Sequence, residues 1–147
     1  MTLIKYRVLR EGAKIPSYAT DGSAGADLSS AADTPVTVPA GGRAMIPTGI
    51  AVECGRRDVA LMIYARSGLA SKHGVALANG VGVVDSDYRG EICVALVNLS
   101  DKDYTVMPSE RVAQLVVTPI IRAVFEETDS LSDTIRGGGG FGSTGTV

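Results

Sequence analysis

The stretch DVALMIYARSGLASKHG, residues 58–74, contains both kinds of local structure that this chain offers. A short apolar run comes first, and it leads directly into the only segment that has the pattern of a helical turn. Gly74 follows that segment and is a typical helix stop. The stretch therefore predicts a strand followed by one short helical turn.

Similar short apolar or alternating runs recur on both sides, and each is bounded by Gly, Pro, Asp or Ser. They are IKYRVL, VTVP, RAMIP, IAVE, VALA, ICVALVNL, YTVM, RVAQLVVTPII and AVFEE. This spacing is typical of an all-β sandwich or barrel. Prolines 35, 39, 47 and 119 exclude a long helix through these runs. A length of 147 residues without repeats or an internal linker predicts one domain.

The run AQLVVTPII, residues 113–121, stands apart because it does not alternate. A strand with apolar residues on both faces is expected to be buried on both. Two interpretations are equally good from this run alone, namely an ordinary central strand and a strand packed against another subunit.

Composition limits the partners. A formal net charge of −2 argues against binding to nucleic acid. No apolar run approaches the roughly 18 residues of a membrane span, and the first residues lack the apolar core of a signal peptide. We therefore expect an intracellular soluble protein, cytoplasmic or nuclear, with neither nucleic acid nor membrane as a partner.

Cys54 and Cys93 lack the spacing of a zinc site, and His73 is the only histidine. Any metal would be oxygen-ligated, which favours Mg²⁺.

Two stretches combine small residues with charges that strand packing does not require. In GSAGADLSS, residues 22–30, Asp27 is flanked by small residues, although a carboxylate in a turn is the ordinary interpretation. In ARSGLASKHG, residues 65–74, Arg66 and Ser67 stand at the start of the helical turn. An arginine, a hydroxyl and free backbone N–H groups there would suit a phosphate. Helix capping by Ser67 is the alternative, but it leaves Arg66 unexplained.

The stretch NGVGVVDSDYRGEICV, residues 79–94, has an acidic centre between two apolar arms, and a β-hairpin is the plain interpretation. Asp85, Asp87, Tyr88 and Arg89 crowd its tip, and Asn79 precedes the first arm. Asn79 could pair with a planar heterocycle, Tyr88 offers a flat face to a sugar, and Asp85 could orient a water molecule.

The C-terminal stretch RGGGGFGSTG, residues 136–145, has the composition of a flexible linker. A pure linker does not need Arg136 or Phe141. An arginine suits phosphate oxygens and an aromatic ring suits stacking on a base, so the stretch predicts a lid over a nucleotide.

Five motifs stand in order along the chain: AGADLSS, ARSGLASKHG, NGVGVVDSDYRGE, ERVAQLVV and RGGGGFGSTG. With these motifs the sequence resembles the trimeric deoxyuridine triphosphate nucleotidohydrolase (dUTPase) family over nearly its whole length. It departs at Ala65, where the family usually has proline, and at Ala26, where a bulkier residue is common. The resemblance implies an all-β distorted jelly-roll or β-sandwich over residues 1–133 and a flexible lid over residues 134–147.

The resemblance also implies an activity, the hydrolysis of dUTP to dUMP and pyrophosphate by Mg²⁺-assisted attack of water on the α-phosphorus. Such a reaction keeps uracil out of DNA and supplies dUMP for dTMP synthesis. By the match, Asp85 activates the water and Asp27 holds Mg²⁺ through its water shell. The phosphate cradle implied by the family consists of Arg66, Ser67, Gly68 and Gln114.

The remaining site residues follow from the same match. Tyr88 resembles the residue under the deoxyribose, which leaves no space for a 2′-hydroxyl. The implied uracil slot is formed by Asn79, Val83, Val84 and Cys93. In the tail, Arg136 would reach the terminal phosphates and Phe141 would cover the uracil, while the phosphates would be closed over by Gly142, Ser143 and Thr144. The family further implies a homotrimer whose sites are shared between subunits.

Two other functions compete with this one. A dCTP deaminase is similar in fold, but DSDYRGE and the Gly-rich tail match the hydrolase instead. A non-catalytic nucleotide sensor on the same scaffold would be favoured by loss of Asp85 or of the tail, and the sequence retains both.

Overall fold

The secondary structure is nearly all β in the computed structural model, which describes residues 2–140. Within these residues the chain forms eleven strands and one helix. They are β1 (Lys5–Val8), β2 (Ala26–Ser29), β3 (Val36–Val38), β4 (Arg43–Pro47), β5 (Ile50–Glu53), β6 (Val59–Ala65), α1 (Ser67–His73), β7 (Val75–Leu77), β8 (Gly82–Val84), β9 (Cys93–Asn98), β10 (Tyr104–Val106) and β11 (Arg111–Pro119). The prediction of an all-β fold with one short helical turn is confirmed. That helix is too short to cross a membrane.

The strands form four antiparallel sheets. The larger ones have the orders β2-β11-β6-β8 and β4-β9-β7, and the two-stranded ones pair β1 with β5 and β3 with β10. Aliphatic side chains fill the space between the sheets, and the largest fully buried ones include Leu28, Ile46, Ile50, Leu61, Ile92 and Leu96. The core therefore rests on short strands with aliphatic side chains, as expected for a chain without tryptophan.

Strand β11 is the central strand of the four-stranded sheet, between β2 and β6. Val112, Ala113 and Leu115 are buried, but the second half of the strand is only partly buried and Ile121 beyond it is almost fully exposed. Within one chain the run is therefore buried at Ala113 and Leu115 and is only partly buried or exposed beyond them. Packing of its second half against another subunit, the other interpretation, stays a prediction.

Helix α1 begins immediately after β6. Its N-cap residue is Arg66, with extended backbone and no side-chain capping bond, and its C-cap is Gly74 with φ 68°. A left-handed residue at this position is most easily glycine, which explains why the helix ends there. Leu69 is the buried residue that anchors the helix to the core.

Two of the predicted strand arrangements are wrong. The run AVFEE forms no strand, since residues 120–140 contain neither strand nor helix. The arms of residues 79–94 do not form a β-hairpin either, because β8 pairs with β6 while β9 pairs with β4 and β7. The segment between them, residues 85–91, passes from one sheet to the other, and we call it the acidic turn.

Candidate active site

Five of the predicted site residues line a single cleft of about 310 Å³. Asp27, Arg66, Ser67, Gly68 and Gln114 share it with other residues that include Gly25 and Arg111. Strand pairing brings them together, because β11 places Gln114 opposite Asp27 of β2 and opposite Tyr64 of β6. Residues 66–68 follow β6 directly and so lie at the same edge of the sheet.

Asp27 is held between two arginines. Its Oδ1 lies 3.2 Å from Arg66 Nε and its Oδ2 lies 2.9 Å from Arg111 Nη1, and its side chain is 16% exposed. Arg66 Nη1 also donates to the carbonyl oxygen of Arg111 at 3.2 Å. Two guanidinium groups around one carboxylate leave an excess positive charge and unused N–H donors, which suits phosphate oxygens. The suggestion that Asp27 lies in a turn is wrong, since it lies in strand β2.

A second cleft of about 470 Å³ shares Asp27, Arg66 and Arg111 with the first one and adds Lys14. Lys14 Nζ donates to the carbonyl oxygen of Ser109 at 3.3 Å. The two clefts thus share one charged cluster, and the cations Lys14, Arg66 and Arg111 outnumber the two carboxylates, Asp27 and Glu110, that line the second cleft.

Gln114 is fixed from two sides. Its Nε2 donates to the carbonyl oxygen of Ala65 at 3.1 Å. A Cβ atom at Gly25 would lie 3.1 Å from both Cβ and Oε1 of Gln114, so a side chain at position 25 would push the amide aside. The absence of a side chain at Gly25 therefore lets Gln114 pack directly against the backbone there.

Ser67 is the first residue of helix α1, and it is exposed. The capping interpretation is wrong, because the N-cap is Arg66 and it makes no side-chain capping bond. Within residues 2–140 the Ser67 hydroxyl forms no hydrogen bond, whereas the Ser67 carbonyl accepts one from Ser71 Oγ at 2.7 Å. The hydroxyl is thus available to a ligand in the cleft.

The residue before Arg111 is also held in place. Glu110 accepts hydrogen bonds from the Tyr104 hydroxyl and from the backbone N–H of Met107, the latter at 2.8 Å. Burial, together with the hydrogen bond to Glu110, raises the pKa of Tyr104 to about 12, so its hydroxyl remains a donor at neutral pH. This contact fixes the start of β11, where Arg111 stands.

The acidic turn lies apart from the cleft, whose lining includes neither Asp85 nor Tyr88. Both side chains are exposed. Within the turn, Tyr88 N donates to the carbonyl of Asp85 at 3.1 Å, and the Tyr88 hydroxyl donates to the carbonyl of Glu91 at 3.0 Å. Arg89 Nη1 donates to the carbonyls of Ser86 and Tyr88. The turn is therefore internally ordered, while the side chains of Asp85 and Tyr88 are exposed.

The residues expected to form a uracil slot come from three segments. Asn79 follows β7, Val83 and Val84 belong to β8, and Cys93 begins β9. Asn79, Val83 and Cys93 are exposed. Gly82 packs so closely on β6 that a Cβ atom there would lie 2.9 Å from Ile63 Cβ. A side chain at position 82 would therefore push β8 away from β6.

The tail residue Arg136 is exposed and does not line the cleft. Its Nε donates to the carbonyl of Gly139 at 2.8 Å, and Gly139 N donates back to the Arg136 carbonyl at 3.1 Å. Phe141, Gly142, Ser143 and Thr144, which the sequence predicts to close over a nucleotide, lie outside the described residues.

Sequence reasoning missed Arg111, which stands in the fourth motif next to Glu110. The available signal was a basic residue at the start of an otherwise apolar strand. Its contact with Asp27 depends on the pairing of β11 with β2. Only knowledge of that pairing would have identified it.

The donor set limits what metal the site could hold. Among residues 2–140 there is no group of three or more His, Cys, Asp or Glu that could hold a metal ion. Both Asp27 oxygens already accept from arginines, although each retains acceptor capacity. This single carboxylate fits Mg²⁺ that keeps most of its water ligands and is bound mainly by substrate phosphates.

Known proteins resemble the chain over most of its length. The dUTPase family model matches residues 11–145. The deoxyuridine 5′-triphosphate nucleotidohydrolase of Desulfitobacterium hafniense (strain DSM 10664 / DCB-2) is 51% identical over 90% of this chain and 87% of that relative. The protein of the same name from Hahella chejuensis is 47% identical over the same shares.

Solved structures share the fold. A dUTPase variant of Staphylococcus bacteriophage 80alpha with dUpNHpp superposes with a TM-score of 0.89 and 24% identity, covering 99% of this chain and all of that one. A dUTPase variant from phage phi11 of S. aureus, in which a structural Mg(II) ion is coordinated, gives a TM-score of 0.78 at 21% identity over 87% and 97% of the two chains. The sequence match over nine-tenths of the chain, together with the cleft formed by its first, second and fourth motifs, shows that this chain belongs to the dUTPase family.

Proposed function

We propose that the protein hydrolyses dUTP to dUMP and pyrophosphate. The observation that carries this proposal is the charged cleft, in which Asp27, Arg66 and Arg111 meet the free hydroxyl of Ser67. Relatives about half identical over 90% of the chain bear the name of this activity. The reaction acts on free nucleotides, and we place it where DNA precursors are made, in the cytoplasm or the nucleus.

The triphosphate binds in the cleft. Arg66 presents a guanidinium to the phosphate oxygens, and Ser67 with Gly68 supplies a hydroxyl and backbone N–H groups at the exposed start of helix α1. The Gln114 amide, fixed by Ala65 and Gly25, contributes a further polar contact. Negative charge develops on the α–β bridging oxygen as pyrophosphate leaves, and a hydrogen bond from the Ser67 hydroxyl stabilises it there.

Mg²⁺ fits the same cleft through Asp27. When bound, the ion neutralises phosphate charge and polarises the phosphoryl group. Asp27 would accept hydrogen bonds from water ligands of the ion, while Arg66 and Arg111 hold the carboxylate in one orientation. The arginines also prevent Asp27 from moving into direct coordination without breaking two ion pairs.

The attacking water is oriented by Asp85. Its exposed carboxylate can accept the proton of a water molecule as oxygen attacks the α-phosphorus, and the phosphorus–oxygen bond to pyrophosphate then breaks. Tyr88, three residues further along the acidic turn, packs under the deoxyribose and excludes a 2′-hydroxyl. The uracil lies against Asn79, Val83, Val84 and Cys93, with no room for the methyl group of thymine.

We infer that these groups meet in a homotrimer. Within one chain the cleft contains neither Asp85 nor Tyr88, so the acidic turn of a second subunit would complete the site. The segment that follows β11 favours the same assembly. Its residues Ile121, Val124 and Phe125 are each more than 90% exposed and would be buried against another copy. Arg136 and Phe141, with Gly142, Ser143 and Thr144, would then form the lid over a neighbouring subunit's nucleotide.

A pyrophosphate-release assay with dUTP, UTP, dTTP and dCTP tests the function. We expect release from dUTP alone at a substantial rate, and Asp85→Asn serves as the matched inactive control. Ammonia released from dCTP without pyrophosphate would instead identify a deaminase. Tight binding of dUTP without turnover would identify a nucleotide sensor.

A further inference from the structure

The base of the acidic turn is joined to the N-terminal part of the chain by a two-pronged ion pair. Arg10 Nε lies 2.8 Å from Glu91 Oε1 and Arg10 Nη2 lies 3.2 Å from Glu91 Oε2. The two residues are 81 positions apart in the chain. The Glu91 side chain is 19% exposed and that of Arg10 is 42% exposed, so the carboxylate is partly shielded from water while the guanidinium remains accessible.

Gly49 completes the contact. Its backbone N–H donates to Glu91 Oε1 at 2.8 Å, and its carbonyl accepts from Leu9 N at 2.7 Å. Gly49 has φ 69°, and a Cβ atom there would lie 2.5 Å from Ala13 Cβ and 3.1 Å from Arg10 Cβ. The Glu91 carboxylate is thus held by one side chain and by one backbone amide, at a place where the backbone is closely packed.

The same residue holds Tyr88 through its backbone. The Tyr88 hydroxyl donates to the Glu91 carbonyl at 3.0 Å. The ring lies directly over Gly90, where a Cβ atom would be 2.4 Å from the hydroxyl oxygen and 2.6 Å from Cζ. The ring orientation therefore depends on where the backbone of Gly90 and Glu91 lies, and the Glu91 side chain fixes that backbone to Gly49 and Arg10.

We propose that Arg10 and Glu91 are positioning residues that hold the Tyr88 ring in place and thereby set the preference for a 2′-deoxy sugar. The inference rests on the proposed role of Tyr88 against the deoxyribose. Exclusion of one hydroxyl group requires that the Tyr88 ring keep its position to within about an ångström. A ring held only by its own backbone could move aside and admit the 2′-hydroxyl. Neither Arg10 nor the Glu91 carboxylate need touch the substrate.

The test compares dUTP and UTP in Arg10→Met, Glu91→Gln and the control Arg56→Met. Arg56 forms its own two-pronged pair with Asp58 on a different exposed loop, so its loss matches the lost ion pair without affecting the turn. We expect the ratio of kcat/KM for dUTP to that for UTP to fall about tenfold in Arg10→Met while kcat for dUTP changes by about threefold or less. Glu91→Gln keeps an acceptor for the Gly49 N–H, so we expect a smaller fall in the ratio for this variant. Arg56→Met should keep the wild-type ratio.

Coupling and ring order provide two further readouts. If Arg10 acts through Glu91, the double variant Arg10→Met/Glu91→Ala should have the same dUTP-to-UTP ratio of kcat/KM as Glu91→Ala alone. With 3-fluorotyrosine incorporated, the ¹⁹F resonance that disappears in Tyr88→Phe should shift or broaden in Arg10→Met and recover in part in Arg10→Lys. This measurement needs no turnover and also serves if a variant is inactive.

The outcomes separate this inference from the proposed function. If Tyr88→Ala lowers the dUTP preference but Arg10→Met and Glu91→Ala leave both the ratio and the Tyr88 resonance unchanged, the positioning role is wrong and the site assignment stands. If Tyr88→Ala itself leaves the preference unchanged, the 2′ position is sensed elsewhere and the proposed role of Tyr88 fails first.

Discussion

Arg111 Nη1 lies 2.9 Å from Asp27 Oδ2, so the first residue of β11 and the second residue of β2 form an ion pair at the edge of the cleft. Arg66 engages the other oxygen of the same carboxylate. Asp27 is thereby fixed in orientation before any ligand arrives, and one guanidinium group remains in excess for an anion.

Replacing Arg111 should weaken triphosphate binding. In Arg111→Met the cleft loses a positive charge and Asp27 loses one of its two partners, so we expect the dissociation constant for dUpNHpp to rise by about tenfold. Calorimetry with and without Mg²⁺ measures this dissociation constant. Arg111→Lys keeps the charge but not the planar guanidinium, so its dissociation constant should lie between those of the wild type and Arg111→Met. Equal affinities for all three proteins would show that Arg111 serves the strand pairing only.

Asp85→Asn should abolish hydrolysis and leave affinity for dUTP within about tenfold of wild type, because the change removes a base and nearly preserves shape. Single-turnover kinetics and equilibrium binding measure the two quantities separately. Since Asp85 is exposed, thermal stability should not change. Loss of binding together with a lowered melting temperature would make Asp85 a structural residue instead.

Deleting the chain from Arg136 onward should reduce turnover strongly while the melting temperature stays within a few degrees. Among residues 2–140 the Arg136 side chain forms a hydrogen bond only within its own turn, to Gly139, so its removal breaks no hydrogen bond to the core. Steady-state kinetics and calorimetry of the truncated protein provide both measurements. Full turnover in the truncated protein would overturn the lid assignment.

The shared site can be tested by refolding Asp85→Asn together with the tail deletion. If a site takes Asp85 from one subunit and the tail from another in cyclic order, each mixed trimer contains one competent site. Equal random mixing then restores about a quarter of all sites under threefold symmetry. Mass spectrometry verifies that mixed trimers form. Activity equal to the average of the two parents would mean that each chain supplies both elements to one site.

The ion pair of Glu91 predicts an acid-sensitive contribution to stability. The hydrogen bond from Arg10, together with that from the Gly49 amide, holds the pKa of Glu91 below its ordinary value of 4.5. A lowered folded-state pKa gives a stability contribution that is present above pH 4.5 and is lost as the pH falls through the folded-state pKa.

Urea unfolding at several pH values can check this contribution. The difference in midpoint between wild type and Glu91→Gln should be constant from about pH 5 to 7 and shrink at lower pH. Glu53→Gln, which removes the exposed partner of Lys5, is the matched control and should show a smaller difference throughout. A difference for Glu91→Gln that grows on acidification would contradict the assigned direction. Asp33 and Cys93 lie near Arg10 and are unchanged in all these proteins.

Most strands could be predicted from the sequence because each short apolar run carries its own boundaries. Strand β2 was missed, since its small and polar residues look like a turn. Helix α1 could be predicted for the same reason, since Gly74 ends it locally. Partner choice is not local, however. Residues 79–94 look like a hairpin because two apolar arms flank an acidic turn, yet β8 pairs with β6, where Gly82 packs on Ile63. The run AVFEE has the pattern of a strand but finds no partner strand within residues 2–140.

The site was predictable to the extent that it lies within motifs. Asp27, Arg66, Ser67, Gly68 and Gln114 meet in one cleft, as the motifs suggested. The contact of Arg111 with Asp27 and that of Arg10 with Glu91 were not predictable, since they join side chains that are 84 and 81 positions apart in the sequence. Whether Asp85 and the tail reach the cleft depends on other copies of the chain, and their assignment stays a prediction.

If the chain forms the proposed trimer, the apolar residues that follow β11 make its activity depend on protein concentration. Ile121, Val124 and Phe125 touch no nucleotide in the proposed scheme, yet their burial between copies would supply much of the free energy that keeps subunits together. Specific activity would then depend on how much protein is present. Halving expression would more than halve the capacity to remove dUTP once subunits begin to separate, so variants in this segment would act as if the gene were poorly expressed.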